Sequence, residues 1–266
     1  MGADKKIIFT MDVEHDIQNA YSMDSARTII PKVIDVLKGN NIIGDFFLST
    51  DALIDHSNIG LLLYENGHSV GNHNLIHDYL RNFTYKGQYE QLDISTKIFR
   101  NIIGVHPKIF RAPNFSIDHN TIMILDRLGY EIDSSVFPGW RIRNKILLRR
   151  HVFPNALKEP YHPSDNNFLQ RGGMKILEAP VSKNPLCSNC PIGGGGLAKY
   201  GVDEMVRVVD DSRDDVVILL FHPWELLPNH ILNTDGISIM KKFEEFIERL
   251  SNKYSFIRSI DLNDRI

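Results

Sequence analysis

Two hydrophobic periodicities take turns along the chain. "KIIFTMD" (6–12) is a short apolar, β-prone run that breaks into charge, which predicts a buried strand. In "SARTIIPKVIDVLKGNN" (25–41), Ile29, Ile30, Val33, Ile34 and Leu37 recur at helical spacing and Gly39 closes the pattern. Pro31 is tolerated in a first turn, so that helix is expected to begin near Thr28. "IIGDFFLST" (42–50) is a second strand, "NIGLLLYENGH" (58–68) a helix ending at Gly67, and "SVGNHN" (69–74) a brief strand edge. "YEQLDISTKIFRNIIG" (89–104) and "HNTIMILDRLGY" (119–130) are amphipathic helices around a strand in "KIFRAPN" (108–114). Strands follow in "EIDSSVF" (131–137), "KILEAPVS" (175–182) and "VVILLFHPW" (216–224), then a helix in "SIMKKFEEFIERLSN" (238–252) and a last short strand in "YSFIRSIDL" (254–262). Strand–helix alternation over the whole length predicts a parallel α/β architecture. Residues 138–172 break the rhythm with prolines, arginines and glycines, and are expected to form a loop over the active face.

The bulk numbers narrow the partners. With 266 residues the chain can enclose a large core, and no composition shift or repeat divides it. A net charge of −3 gives no electrostatic reason to expect nucleic acid or an anionic membrane surface. The apolar run near the N-terminus is too short for a signal-peptide core or a transmembrane segment, and Lys6 stands where a myristoylation motif wants Ser or Thr. A cytoplasmic location is the expectation. Cys187 and Cys190 form one C-x-x-C, which cannot alone complete a tetrahedral zinc site. They are read mainly as loop residues without chemistry, with a local disulfide clip or an accessory metal site as alternatives. The glycines at 193–196 lack the Lys-Ser/Thr of a phosphate loop; they read as flexible loop or as a place where a glycan approaches the main chain.

Chemistry gathers at predicted strand ends: "TMDVEHD" (10–16), "HNLIH" (73–77), "FRAPNF" (110–115) with "DSS" (133–135), and "FHPWE" (221–225). In parallel α/β folds the carboxyl ends of strands converge on one face. His73 and His77, four apart, could grip one ion if helical, or be unrelated polar residues near a turn. Asp12 and Glu14, two apart on a strand end, can face the same way. One would then bind metal and the other stay free as a base; otherwise both are solvated acids.

Taken in order, these pieces resemble the NodB-type polysaccharide deacetylases, carbohydrate esterase family 4, over residues 8–224. That family's first motif, H-[ST]-x-x-H, R-x-P, Asp segment and terminal Leu-x-His stand here as "TMDVEHD", "HNLIH", "RAPNF", "DSSVFPGW" and "LLFHPWE". The phrasing is most similar to a "DVE" branch associated with exopolysaccharide loci. Val13 replaces the usual second Asp, so Glu14 becomes the substitute ligand, and Asn74 replaces the usual Ser or Thr. The resemblance implies a distorted (β/α)7-like barrel over a single domain 1–266. It implies a divalent ion, zinc or a similar one (Co, Mn, Ni or Fe), on Glu14, His73 and His77. It further implies Asp12 as general base, Arg111 holding Asp12 in place, His222 as proton donor and Asp133 orienting His222. A backbone N–H near Asn114 would hold the oxyanion, while Phe115 and Trp224 would wall the substrate. The implied substrate is an N-acetylated glycan or sugar precursor. Hydrolysis of a small amide, as in allantoinase-like relatives, and a catalytically silent carbohydrate-binding protein are the alternatives.

Overall fold

The computed structural model describes residues 5–16, 22–143, 149–153, 155–187, 189–228 and 236–264. Strand and helix alternate: β1 (Lys6–Val13), α1 (Asp24–Gly39), β2 (Asp45–Leu48), α2 (Thr50–Asp55), α3 (Ser57–Glu65), β3 (Ser69–Asn72), α4 (Tyr85–Ile103), β4 (Ile109–Phe110), α5 (His119–Leu128) and β5 (Ile132–Asp133). An antiparallel hairpin of β6 (Arg141–Arg143) and β7 (Arg149–His151) interrupts them. The alternation resumes with β8 (Leu177–Glu178), α6 (Gly194–Asp211), β9 (Val216–Phe221), α7 (Gly236–Ser251) and β10 (Ser255–Phe256). The main sheet is parallel in the order β10-β1-β2-β3-β4-β5-β8, with β9 also on β1. Beyond β8 the chain curls back towards β9: Ile192 N–H donates to Ser182 O, and Leu220 N–H to Ile192 O. This curled parallel sheet with its helices is the expected distorted (β/α)7-like fold.

Side-chain parity on β1 organises both layers. Ile7, Phe9, Met11 and Val13 join the large core under the helices, with Ile29, Ile30, Val33 and Leu37 of α1. Ile8 points the other way and joins Phe47, Ile109, Ile132, Leu177 and Ile218 in a smaller core inside the curl. Above that apolar tier come polar Thr10 and Asp12 on the same strand face. The interior is therefore greasy at its base and polar at the carboxyl ends of the strands.

Several expectations change. Helix α1 starts at Asp24, ahead of Thr28, so Pro31 lies inside it. Arg27 and Pro31 are both exposed, so water can serve the carbonyl that proline leaves without a donor. His73 and His77 are joined by a bent loop, not a helix, because Asn74 takes a left-handed conformation (φ 68°). The glycines at 193–196 are not a flexible loop: they open α6, which packs Leu197, Met205 and Val209 into the core. They are required by close approach. A β-carbon on Gly193 would stand 1.6 Å from the Leu220 carbonyl oxygen, and one on Gly194 would stand 2.4 Å from Glu225 Oε2. Cys187 and Cys190 form a disulfide, which overturns the reading of inert loop residues. In the segment 138–172, residues 144–148 and 154 fall outside the described residues. Tyr161 exchanges backbone hydrogen bonds with Glu178, fastening the latter half of this segment to β8.

Asp133 and Glu178 are in-register neighbours on β5 and β8, and both are fully buried. Burial raises both carboxyls, and Glu178, which also feels the Asp133 charge, is pushed well above the carboxylate range. Two buried carboxyls side by side favour keeping a proton between them over carrying two charges.

Two outcomes follow. Gly193→Ala forces α6 off β9 and is expected to destabilise the fold by about 3 kcal/mol, read as a lower thermal midpoint. Because the folded-state affinity of Glu178 for its proton is raised, the stability it confers is present at acid pH and lost as pH rises through the raised value. Glu178→Gln supplies the neutral group permanently. Thermal midpoints measured against pH should therefore fall less steeply on the alkaline side in the variant than in the parent.

Candidate metal centre and active site

The strand ends deliver Asp12, Glu14, His73, His77 and His222 to one cavity of about 600 Å³, with Arg111 buried behind Asp12. Asp12 is on β1 and Glu14 just beyond it; His73 follows β3, Arg111 follows β4, and His222 follows β9. Two-residue spacing brings Asp12 and Glu14 to the same side, where their Oδ2 and Oε1 atoms lie 4.0 and 3.8 Å from His222 Nε2.

Glu14, His73 and His77 form the one group among the described residues whose donor atoms could share a metal ion, all within 4.8 Å of one another. Glu14 Oε2 is 2.7 Å from His77 Nε2 and 3.4 Å from His73 Nε2. His73 Nδ1 donates to the Arg111 carbonyl at 2.7 Å, so its Nε2 presents a lone pair to the carboxylate. Two electron-rich atoms then face each other, and Glu14 Oε2, buried, has no aligned hydrogen bond. A cation between them removes the conflict. Two imidazoles and one carboxylate suit zinc and its first-row neighbours, and leave coordination positions open. Burial works to raise the Glu14 carboxyl, but the imidazoles of His73, His77 and His222 around it outweigh burial and draw it well below the usual range. Burial likewise works against His77, and Glu14 overrides it upwards.

Arg111 is entirely buried. Its Nη1 donates to Asp12 Oδ1 and Thr10 Oγ1, both at 2.8 Å; its Nε donates to Ser134 O at 2.9 Å and its Nη2 to Ser134 Oγ at 2.8 Å. The guanidinium also lies 4.3 Å over the Phe47 ring. Asp12 thus keeps one oxygen on Arg111 and turns the other towards the cavity.

Asp133 does not orient His222. Its Oδ1 accepts from Ser135 Oγ, and that hydroxyl accepts from Ala112 N–H, so Asp133 braces the loop after β4. It is drawn down into the β5–β8 carboxyl pair described above. The partner of His222 is Glu225, whose Oε2 lies 3.3 Å from Nδ1 and accepts from the His222 backbone N–H at 2.8 Å. Burial alone would lower His222; Glu225 first, then Glu14 and Asp12, raise it to about 9.

Asn114 and Phe115 both adopt left-handed φ (53° and 51°) in the turn after Arg111. Such strain in side-chain-bearing residues concentrates at functional sites. Phe115 meets Trp140 edge-on at 5.4 Å, and Trp224 stacks on His222 at 4.8 Å. Phe115, Trp140 and Trp224 all line the cavity, together with Asn189 and Pro191 from the disulfide loop. Trp140, Glu225, Asp16 and Asp51 were not singled out in the sequence. Trp140 lies in the aperiodic segment, and Glu225 could have been noticed as the i+3 acid after His222. No helix among the described residues is long and apolar enough to cross a membrane.

Residues 3–132 match the family described as polysaccharide deacetylase. The chain is 26% identical over 163 residues to the peptidoglycan-N-acetylmuramic acid deacetylase PdaA of Bacillus subtilis, covering 60% of this chain and 57% of that protein. It is 32% identical over 114 residues to a chitin deacetylase of Colletotrichum lindemuthianum, covering 41% and 46%. The chain spans about half the length of these curated relatives. A Mycobacterium smegmatis crystal structure, described as a candidate polysaccharide deacetylase, superposes with a TM-score of 0.72 at 16% identity, covering 100% of this chain and 91% of that one. That likeness establishes the fold. With the motifs in family order on these strand ends, the chain is similar to the polysaccharide deacetylase family over residues 3–132, just under half of its length.

Proposed function

We propose that the chain hydrolyses the acetamide of an N-acetylated amino sugar in a glycan or glycan precursor, as a single catalytic domain over 1–266. The observation that carries this reading is a metal-type triad with a second carboxylate, Asp12, left free beside it and fixed by Arg111. Glu14, His73 and His77 would hold a divalent ion such as zinc, which when bound polarises the acetyl carbonyl and acidifies the attacking water. Asp12 takes the water's proton as general base. The water oxygen bonds to the acetyl carbon, and the backbone N–H near Asn114 supports the oxyanion. The carbon–nitrogen bond breaks as His222 Nε2 hands a proton to the departing amine. Phe115, Trp140 and Trp224 offer apolar faces to the sugar ring and the acetyl methyl.

The lining also bears on the substrate. Asp12, Glu14, Asp16 and Asp51 line the cavity, and no Lys or Arg does among the described residues. An acidic wall favours a neutral N-acetylhexosamine over one bearing its own carboxylate, such as N-acetylmuramic acid. The Asp-Val-Glu order at 12–14 and the His-Pro-Trp-Glu end at 222–225 support a bacterial exopolysaccharide or its precursor as the glycan.

Metal analysis with acetate-release assays on chitooligosaccharides tests the assignment. His73→Ala should lose bound metal; undiminished metal content would remove the triad. Asp12→Asn should keep the metal and lose about 10²–10⁴-fold in rate. Its fold must be verified by circular dichroism, because an unpaired buried Arg111 costs about 3 kcal/mol or more. Acetate release that survives in folded Asp12→Asn would remove Asp12 as the base. Between substrates, neutral N-acetylglucosamine oligomers should be turned over about tenfold faster than N-acetylmuramic acid-bearing glycans at low salt, with the gap narrowing as salt rises.

A further inference from the structure

His222 is fixed from three directions. Its ring stacks on Trp224 at 4.8 Å, with 26° between planes. Its backbone N–H donates to Glu225 Oε2 at 2.8 Å, and the same oxygen lies 3.3 Å from its Nδ1. Its Nε2 then faces Asp12 Oδ2 and Glu14 Oε1 across the cavity. A carboxylate oxygen can only accept, so Nδ1 must carry the proton in that contact. The remaining nitrogen, Nε2, is left for exchange with substrate.

Glu225 is itself held. It is 7% exposed and belongs to a 3₁₀ turn that Pro223 opens, on the chain leaving β9. The first turn of α6 presses on it: a β-carbon on Gly194 would stand 2.4 Å from Oε2 and 2.6 Å from Cδ. The glycine run therefore makes room for this carboxylate, and the end of a helix that carries free N–H groups favours a negative charge there. Asp133, the acid expected in this role, is engaged with Ser135 and Glu178.

We infer that Glu225 is the positioning residue of the proton-donor side of the site: through Oε2, seated against the Gly194 turn, it sets the ring orientation and tautomer of His222 in place of Asp133. Glu225 touches no reacting atom. Its effect is on whether Nε2 points at the departing amine with a proton to give. The inference rests on the deacetylase reading for its consequence in turnover, and its structural half is independent of it.

The test uses the metal-loaded full chain with uniformly ¹⁵N-labelled histidine. Two-bond ¹H–¹⁵N correlations report which ring nitrogen carries the proton when the ring is neutral, and His222→Ala assigns the signal among the 11 histidines. Recorded above pH 9, where the His222 ring is neutral, the parent should show Nδ1–H for His222. Glu225→Gln should lose that preference, and kcat for acetate release should fall at least tenfold with KM and metal content within twofold. Asp133→Asn should leave the His222 signature as in the parent. If Glu225→Gln does not fold, Gly194→Ala keeps the carboxylate but displaces it, and the same two changes are expected. An unaltered signature in a folded variant, or kcat within twofold of the parent, overturns the inference. If the parent releases acetate from no substrate, the deacetylase reading fails while the ring signature still decides the role of Glu225.

Discussion

A guanidinium with no access to water governs this structure. Arg111 is desolvated completely, and an unpaired charge in that position would cost several kcal/mol. Its guanidinium makes four hydrogen bonds, two to Thr10 and Asp12 on β1 and two to Ser134 beyond β5, while its face rests on Phe47 of β2. Elements from across the sheet therefore have to arrive at one point in one arrangement. The carbonyl of the same residue fixes the tautomer of His73. One side chain and its own backbone thus orient both the free carboxylate and a metal-type imidazole. Charge burial, usually a liability, here enforces the geometry of the site.

Local strain lies next to these fixed groups. Asn74, Asn114 and Phe115 are left-handed, and Asn74 and Phe115 are pinned by hydrogen bonds of the surrounding chain: Asn74 O accepts from Thr50 N–H, Asn74 Nδ2 reaches Gln91 Oε1, and Phe115 N–H donates to Ala112 O. Such conformations cost on the order of 1–3 kcal/mol each and persist only where neighbours over-determine them. They bring His77 back towards His73 without a helix. They also turn the chain after Arg111 so that an aromatic ring faces the cavity.

What could be read from the sequence was what depends on short-range pattern. Alternating strand and helix periods marked the layers, and strand ends marked the face on which Asp12, Glu14, His73, His77, Arg111 and His222 meet. The misreadings share another cause. Helix α6 was hidden because it opens in glycines and is broken again at Gly201 (φ 80°), and glycine reads as permissive backbone until its neighbours are known. Only the approach of Leu220 and Glu225 reveals why no side chain fits there. Asp133 was misassigned because its partner across the sheet, Glu178, lies 45 positions away and no local pattern links them. The disulfide was legible as a candidate from spacing alone, but its closure depends on how the loop folds.

The division of labour along β1 has an evolutionary corollary. Odd positions serve the helices and even positions serve the interior, from Ile7 and Ile8 up to Val13 and Glu14. Replacing one side chain perturbs one layer, yet adding or removing a single residue exchanges the two sets. Met11 and Val13 would then be turned into the cavity while Asp12 was thrust among phenylalanines. Single positions of this strand can change in composition, but its frame cannot slip by one residue without exchanging the two faces.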